Sequence, residues 1–91
     1  MDLNSLVTRN ENSVFCEIEN QTVLLNVDAG KYHGFNEVAS RIWQLIAEPI
    51  KVSQLCEVLG EEFEVTNEKC EEEVIRFLTK LNDANLISEI E

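Results

Sequence analysis

VLLNVDAGKYHGFNEVASRIWQLI, residues 23–46, reads as a strand, a tight turn, a second strand and, directly after it, a helix. Val23, Leu25 and Val27 fall on one face of an extended segment at period two. Asp28, Ala29 and Gly30 supply turn chemistry: Asp opens the turn and Gly is free to take positive φ in a short bulged hairpin loop. Residues 31–35 return as the second strand. Asn36 is a good helix N-cap. Behind it Val38, Ala39, Ile42, Trp43, Leu45 and Ile46 recur at helical spacing and make a wide apolar stripe. The pattern predicts a small α+β domain and does not by itself name a function.

The rest of the composition agrees with one ordered domain. The chain has 91 residues, 44% of them hydrophobic and 27% charged, enough for a single modest core. Eighteen acids against seven bases give a net charge of −11, which repels phosphate backbones and anionic membranes. No apolar run approaches the roughly 20 residues of a membrane span. The opening MDLNSLVTRN has neither a basic leader nor an apolar signal core, which predicts a cytoplasmic protein. Cys16, Cys56 and Cys70 are odd in number and widely spaced, so neither a disulfide framework nor a C-x-x-C metal site is expected. They read as small core residues on the inner faces of a strand and two helices.

Outward from the central stretch, residues 1–12 are polar apart from Leu3, Leu6 and Val7, and are expected to form a flexible arm with at most a short extended piece. The domain proper is placed at residues 13–91. Val14, Cys16 and Ile18 alternate on a first strand, so residues 14–18, 23–27 and 31–35 make a three-stranded antiparallel meander. The first helix must stop near Pro49. Ser53 is the expected cap of a second, short helix carrying Leu55, Val58, Leu59 and Phe63, weakened by Gly60. Thr66 caps a third helix over residues 67–84, whose buried stripe is Cys70, Val74, Phe77, Leu78 and Leu81. Asn85 stands where a left-handed residue ends such a helix, and Leu86 and Ile87 fold back to close the core.

Catalytic chemistry finds little to use. His33 is the single histidine, and a Cys–His pairing would rest on a proximity that spacing does not show. No Gly-rich phosphate loop is present. Glu71, Glu72 and Glu73 point in three directions on a helix and read as a solvated face. Three helices with a small sheet also describe a winged helix-turn-helix. Its third helix would then carry Lys69, Arg76 and Lys80 into a groove together with Glu68, Glu71, Glu72, Glu73 and Asp83, which argues against nucleic-acid readout. The remaining physical option is peptide binding. Residues 31–35 end the meander, and an open edge can take an extended peptide as another strand. A covering helix, or Lys31 itself, can equally blunt such an edge, and the residues alone leave both readings open.

The stretch 23–46 resembles the hairpin and first helix of PqqD-like proteins, in particular the LLD…TG-x-Y-x-x-LN…IW core of lasso-peptide recognition proteins. EVIRFLTKLNDANLI is similar to that family's DV…FL…L…GLI ending. The resemblance covers residues 14–87 and implies an α+β fold, winged helix-turn-helix-like, with the N-terminal three-stranded meander followed by three helices. It implies a non-catalytic module, without metal or other cofactor, that binds the leader of a ribosomally made precursor peptide. The leader would lie as an added strand on Lys31, Tyr32, His33, Gly34 and Phe35, in a groove walled by Glu73, Arg76, Phe77 and Lys80 of the third helix; Phe77 also reads as plain core. The partners implied are the precursor leader, a leader peptidase and a cyclase of the same pathway, with no nucleic acid and no membrane. The alternatives are a PqqD-type chaperone for a radical-SAM enzyme and a winged-helix regulator, the latter disfavoured by charge. Glu73 stands where Asp is usual and Asn85 where Gly is usual; each keeps the property required.

Overall fold

The structure, a computed structural model, describes residues 1–10, 14–19, 21–26 and 30–90, with the side chains of Asn26, Lys31 and His33 outside that description. The elements run β1 (Leu6–Arg9), β2 (Val14–Ile18), β3 (Gln21–Asn26), β4 (Lys31–Gly34), α1 (Glu37–Leu45), β5 (Ile50–Lys51), α2 (Val52–Phe63), α3 (Asn67–Asp83) and β6 (Ile87–Ile90). They form the expected meander, in the order β2-β3-β4, and three helices. A second three-stranded sheet, in the order β5-β1-β6, joins the two ends of the chain.

Local chemistry sets several boundaries as the sequence predicts. Gly30 takes φ +64° at the hairpin, while residues 27–29 of that turn lie outside the described residues. Asn36 caps α1, its Oδ1 accepting from the Ala39 N–H at 2.8 Å. Thr66 caps α3 by accepting from the Lys69 N–H at 3.4 Å. Asn85 is left-handed at φ +61°. Beyond it the Leu86 N–H reaches back to the Leu81 carbonyl at 2.9 Å, and the chain enters β6.

Three expectations are corrected. Residues 6–9, expected within a flexible arm, form the middle strand of the second sheet, with Val7 fully buried. The segment before them also closes the start of α2: the Val52 and Ser53 N–H groups donate to the Ser5 and Leu3 carbonyls, both at 3.0 Å. These are orphan donors of a first helical turn. Ser53 therefore sits inside α2 rather than capping it, and the Lys51 N–H is met instead by the Gln54 side chain at 3.2 Å. The helix runs through Gly60 to Phe63, as its apolar face predicts, and stops at Glu64 with φ +49°.

The third correction concerns which face of the meander looks inward. The register pairs Val14 with Leu25 and Cys16 with Val23, so these four residues share one face, and Val14 and Cys16 on it are exposed. Phe15, Thr22 and Leu24 occupy the other face; Leu24 and Thr22 are fully buried, and Phe15 meets the buried Trp43 edge-on at 5.6 Å. Both faces are apolar at period two, so alternation alone does not choose between them; the Phe15–Trp43 pair does. Cys56 and Cys70 are buried as expected, and Cys16 is not.

Candidate functional site

Among the described residues the strand order leaves β4 with β3 as its one neighbour in the sheet, so its far side is an open edge. The phase of that edge can be read from its end. The Phe35 N–H donates to the Thr22 carbonyl at 2.8 Å, in register with the pairs Val23–Gly34, Leu24–His33 and Leu25–Tyr32. Hydrogen-bonded and non-bonded pairs alternate along an antiparallel ladder. The His33 backbone therefore bonds inward to Leu24, while the N–H and C=O groups of Tyr32 and Gly34 point out to the open edge. The Tyr32 side chain is 75% exposed.

Past the end of β4 the chain turns inward beside a cleft. Phe35 is buried, and its ring meets Phe77 of α3 edge-on at 5.2 Å and Trp43 at 6.0 Å. From there a cleft of about 200 Å³ opens between the start of α1, the end of α2 and the first half of α3. Its apolar lining includes Val38, Ile42, Phe63, Val65, Val74 and Phe77, and Asn36, Lys69 and Glu73 are its polar residues. The apolar lining offers a side chain room out of water, worth roughly 1.5–3 kcal/mol for a large aliphatic or aromatic group.

The site residues expected from sequence fall into three sets. Phe35, Phe77 and Glu73 come together: the two rings touch, and Phe77 and Glu73 line the cleft. Phe77 is half-buried, so it serves both the core and the cleft. Tyr32, Gly34 and the backbones of Lys31 and His33 form the edge strand beside them; the side chains of Lys31 and His33 lie outside the described residues. Arg76 and Lys80 are exposed on α3 and off the cleft lining; Arg76 pairs with Glu72 at 3.2 Å.

Sequence reasoning missed Val38, Phe63, Val65 and Lys69 as lining residues. Val38 and Phe63 stood in stripes assigned to the core, and Val65 in a connector. Lys69 was seen only as a helix cation. Their shared signal is position, each near the end of a helix where packing thins, and it becomes visible once the three helices are assembled.

Among the described residues no group of three or more His, Cys, Asp or Glu is placed to hold a metal ion, and no helix is long and apolar enough to cross a membrane. Glu68, Glu72 and Glu73 stand exposed close to Lys69 and Arg76 on α3, the helix a winged helix-turn-helix would present to DNA. Phosphate would be repelled there as much as attracted.

No curated protein matches the chain in sequence. Two solved structures match it in fold. One is TbiB1 in complex with the TbiA(β) leader peptide, 26% identical, with a TM-score of 0.81 over 92% of this chain and 98% of that one. The other is a lasso peptide synthetase B1 complexed with the leader peptide, 20% identical, with a TM-score of 0.78 over 90% and 96%. The family model for coenzyme PQQ synthesis protein D (PqqD) matches residues 21–87, which span β3 through the start of β6 and contain both the edge strand and α3. The chain belongs to the PqqD family.

Proposed function

We propose that this protein is a leader-peptide recognition module. It takes the leader of a ribosomally made precursor as an added antiparallel or parallel strand on β4, flanked by α3, and delivers it to a leader peptidase of the lasso-peptide type, with a cyclase downstream. The module contributes binding and no chemistry of its own. The observation that carries this reading is the open edge of β4 with its unpaired Tyr32 and Gly34 backbone groups, standing next to an apolar cleft. Main-chain bonds to such an edge give affinity, and a side-chain pocket gives selectivity. The likeness to TbiB1, seen with a leader peptide bound, supports it.

The experiment is peptide selection followed by amide exchange. Peptides selected from a displayed random library, and the TbiA(β) leader as a first probe, are titrated onto the full chain by fluorescence polarisation. Hydrogen exchange is then followed residue by residue. Binding should slow exchange at the Tyr32 and Gly34 amides, which have no ladder partner among the described residues. Saturable peptide binding that leaves both amides exchanging as before would exclude strand addition on β4.

Membership of the PqqD family leaves room for the second reading raised by the sequence, a PqqD-type peptide chaperone for a radical-SAM enzyme. Both readings use the same edge. They separate by which enzyme accepts the loaded peptide.

A further inference from the structure

On a chain of net charge −11 the cations are few, and their placement is informative. Of the seven Lys and Arg, Arg9 lies over the rings of Phe15 and Trp43. Arg41 is bound to Glu62 at 2.9 Å, and Lys51 directly precedes α2. The other four, Lys31, Lys69, Arg76 and Lys80, all belong to β4 and α3, the edge strand and the helix whose Phe77 meets Phe35 just past that strand.

On α3 the arrangement is ordered. With 3.6 residues per turn, Lys69, Glu73, Arg76 and Lys80 fall within a sector of about 60°, adjacent to Phe77, while Glu68, Glu71 and Glu72 fall outside it. Lys69 and Glu73 of that sector line the cleft; Arg76 and Lys80 continue the sector beyond the cleft lining, on the same side of the helix as Phe77, whose ring meets Phe35 at the end of β4. Lys69 and Lys80 form no ion pair among the described residues. Among the described residues Arg76 is held by Glu72 alone, with both side chains well exposed, and such a pair exchanges readily for a better partner.

Spacing then selects the ligand. Arg76 and Lys80 are about 6 Å apart along the helix axis, and side chains on one face of an extended strand repeat every ~7 Å. We infer that the groove selects a peptide carrying two acidic side chains two residues apart on its α3-facing side, read by Arg76 and Lys80. Glu73, in the same stripe, opposes a further carboxylate one turn back and so gives the acidic pair a register. The net charge does not cancel the preference: at physiological salt charges more than about 8 Å away are largely screened, whereas the two cations act at contact distance. The inference rests on strand addition at β4.

A displayed random-peptide library is selected in parallel on the wild-type chain and on the double variant Arg76→Glu, Lys80→Glu. Both positions are exposed and off the buried stripe, and circular dichroism checks that the variant folds. Wild-type selection should enrich Asp and Glu at two-residue spacing, and selection on the variant should enrich Lys and Arg there. A wild-type winner should lose about tenfold in affinity on the double variant, as expected for two exposed ion pairs. It should regain that affinity when its own two acids are changed to lysine. Winners that protect the Tyr32 and Gly34 amides yet lack the acidic pair, or bind both proteins equally, overturn the charge selection and leave strand addition standing. Winners that protect neither amide, or a library that yields none, remove both.

Discussion

Ser40 of α1 places its hydroxyl inside the β3–β4 ladder, where its Oγ accepts from the Thr22 N–H at 2.8 Å and donates to the Phe35 carbonyl at 3.4 Å. The Phe35 N–H still reaches the Thr22 carbonyl directly, so the hydroxyl replaces one of the two bonds that would join this pair. All three residues are buried. Ser40 thereby ties the helix to the end of the edge strand.

Two neighbouring substitutions should therefore act in opposite directions. Ser40→Ala leaves a buried N–H and a buried carbonyl without that partner and should cost about 1–3 kcal/mol. The buried Thr22 Oγ1 has no hydrogen-bond partner among the described residues, so Thr22→Val should be neutral or stabilising. Urea denaturation at an unchanged slope measures both. Equal destabilisation by the two would show that burial alone, and not the bridging hydroxyl, matters here.

The chain before the meander should be indispensable. Val7 is fully buried in the middle strand of its sheet, and the Leu3 and Ser5 carbonyls hold the first donors of α2. Deleting residues 1–9 removes the strand between β5 and β6 and uncovers that helix end. The expected outcome is loss of the cooperative thermal transition. A truncated chain that melts as the full one does would return this segment to the role of an arm.

This is also where the sequence was hardest to read. The β4–α1 unit was legible because its signals are local: Gly30 for a positive φ, Asn36 for a cap, and an apolar stripe behind it. β5 and β6 have two and four residues and pair with a strand far away in the chain, so no window of sequence contains the sheet they make. The meander's phase was hidden for a different reason, since Val23 and Leu25 alternate as well as Thr22 and Leu24 do. Of the candidate site, the edge strand was readable from its place at the end of the meander, and Phe77 from the family pattern. The cleft's Phe63 and Val65 were not, because α2 reaches α1 and α3 through tertiary packing alone.

The two buried thiols give a pH dependence whose sign can be worked out. Burial pushes the Cys56 thiol up to about 12, with neighbouring Cys70 adding to it, and burial likewise raises Cys70. Cys70 lies in α3 with its Sγ 3.9 Å from the Cys56 carbonyl in α2. Unfolded thiols ionise near about 8.5. Stability from keeping these thiols neutral is fully present below that value and is lost as pH rises from there toward the folded values, by at most about 1.4 kcal/mol per pH unit per thiol. Cys56→Ala should blunt the loss between neutral and alkaline pH, while Ellman's reagent should titrate only the exposed Cys16 in the native protein at pH 7. Rapid native reaction of all three thiols would contradict this packing.

A proline scan through β4 tests the edge most directly, because proline removes one N–H and fixes φ near −65°. The bond from the Phe35 N–H to the Thr22 carbonyl sets the phase: the His33 N–H faces β3, and those of Tyr32 and Gly34 face outward. His33→Pro should break a ladder bond and destabilise the domain by about 3 kcal/mol or more, through the lost bond and ring clashes within the sheet. Tyr32→Pro and Gly34→Pro keep every inward bond. Edge strands tolerate proline where the N–H faces solvent, so both variants should retain the wild-type circular dichroism spectrum. Each removes a donor that a guest strand would use and should weaken peptide binding by roughly 1–2 kcal/mol, about five- to thirtyfold in Kd. Folded Tyr32→Pro and Gly34→Pro proteins that bind peptide as tightly as wild type would place the ligand somewhere other than on this strand.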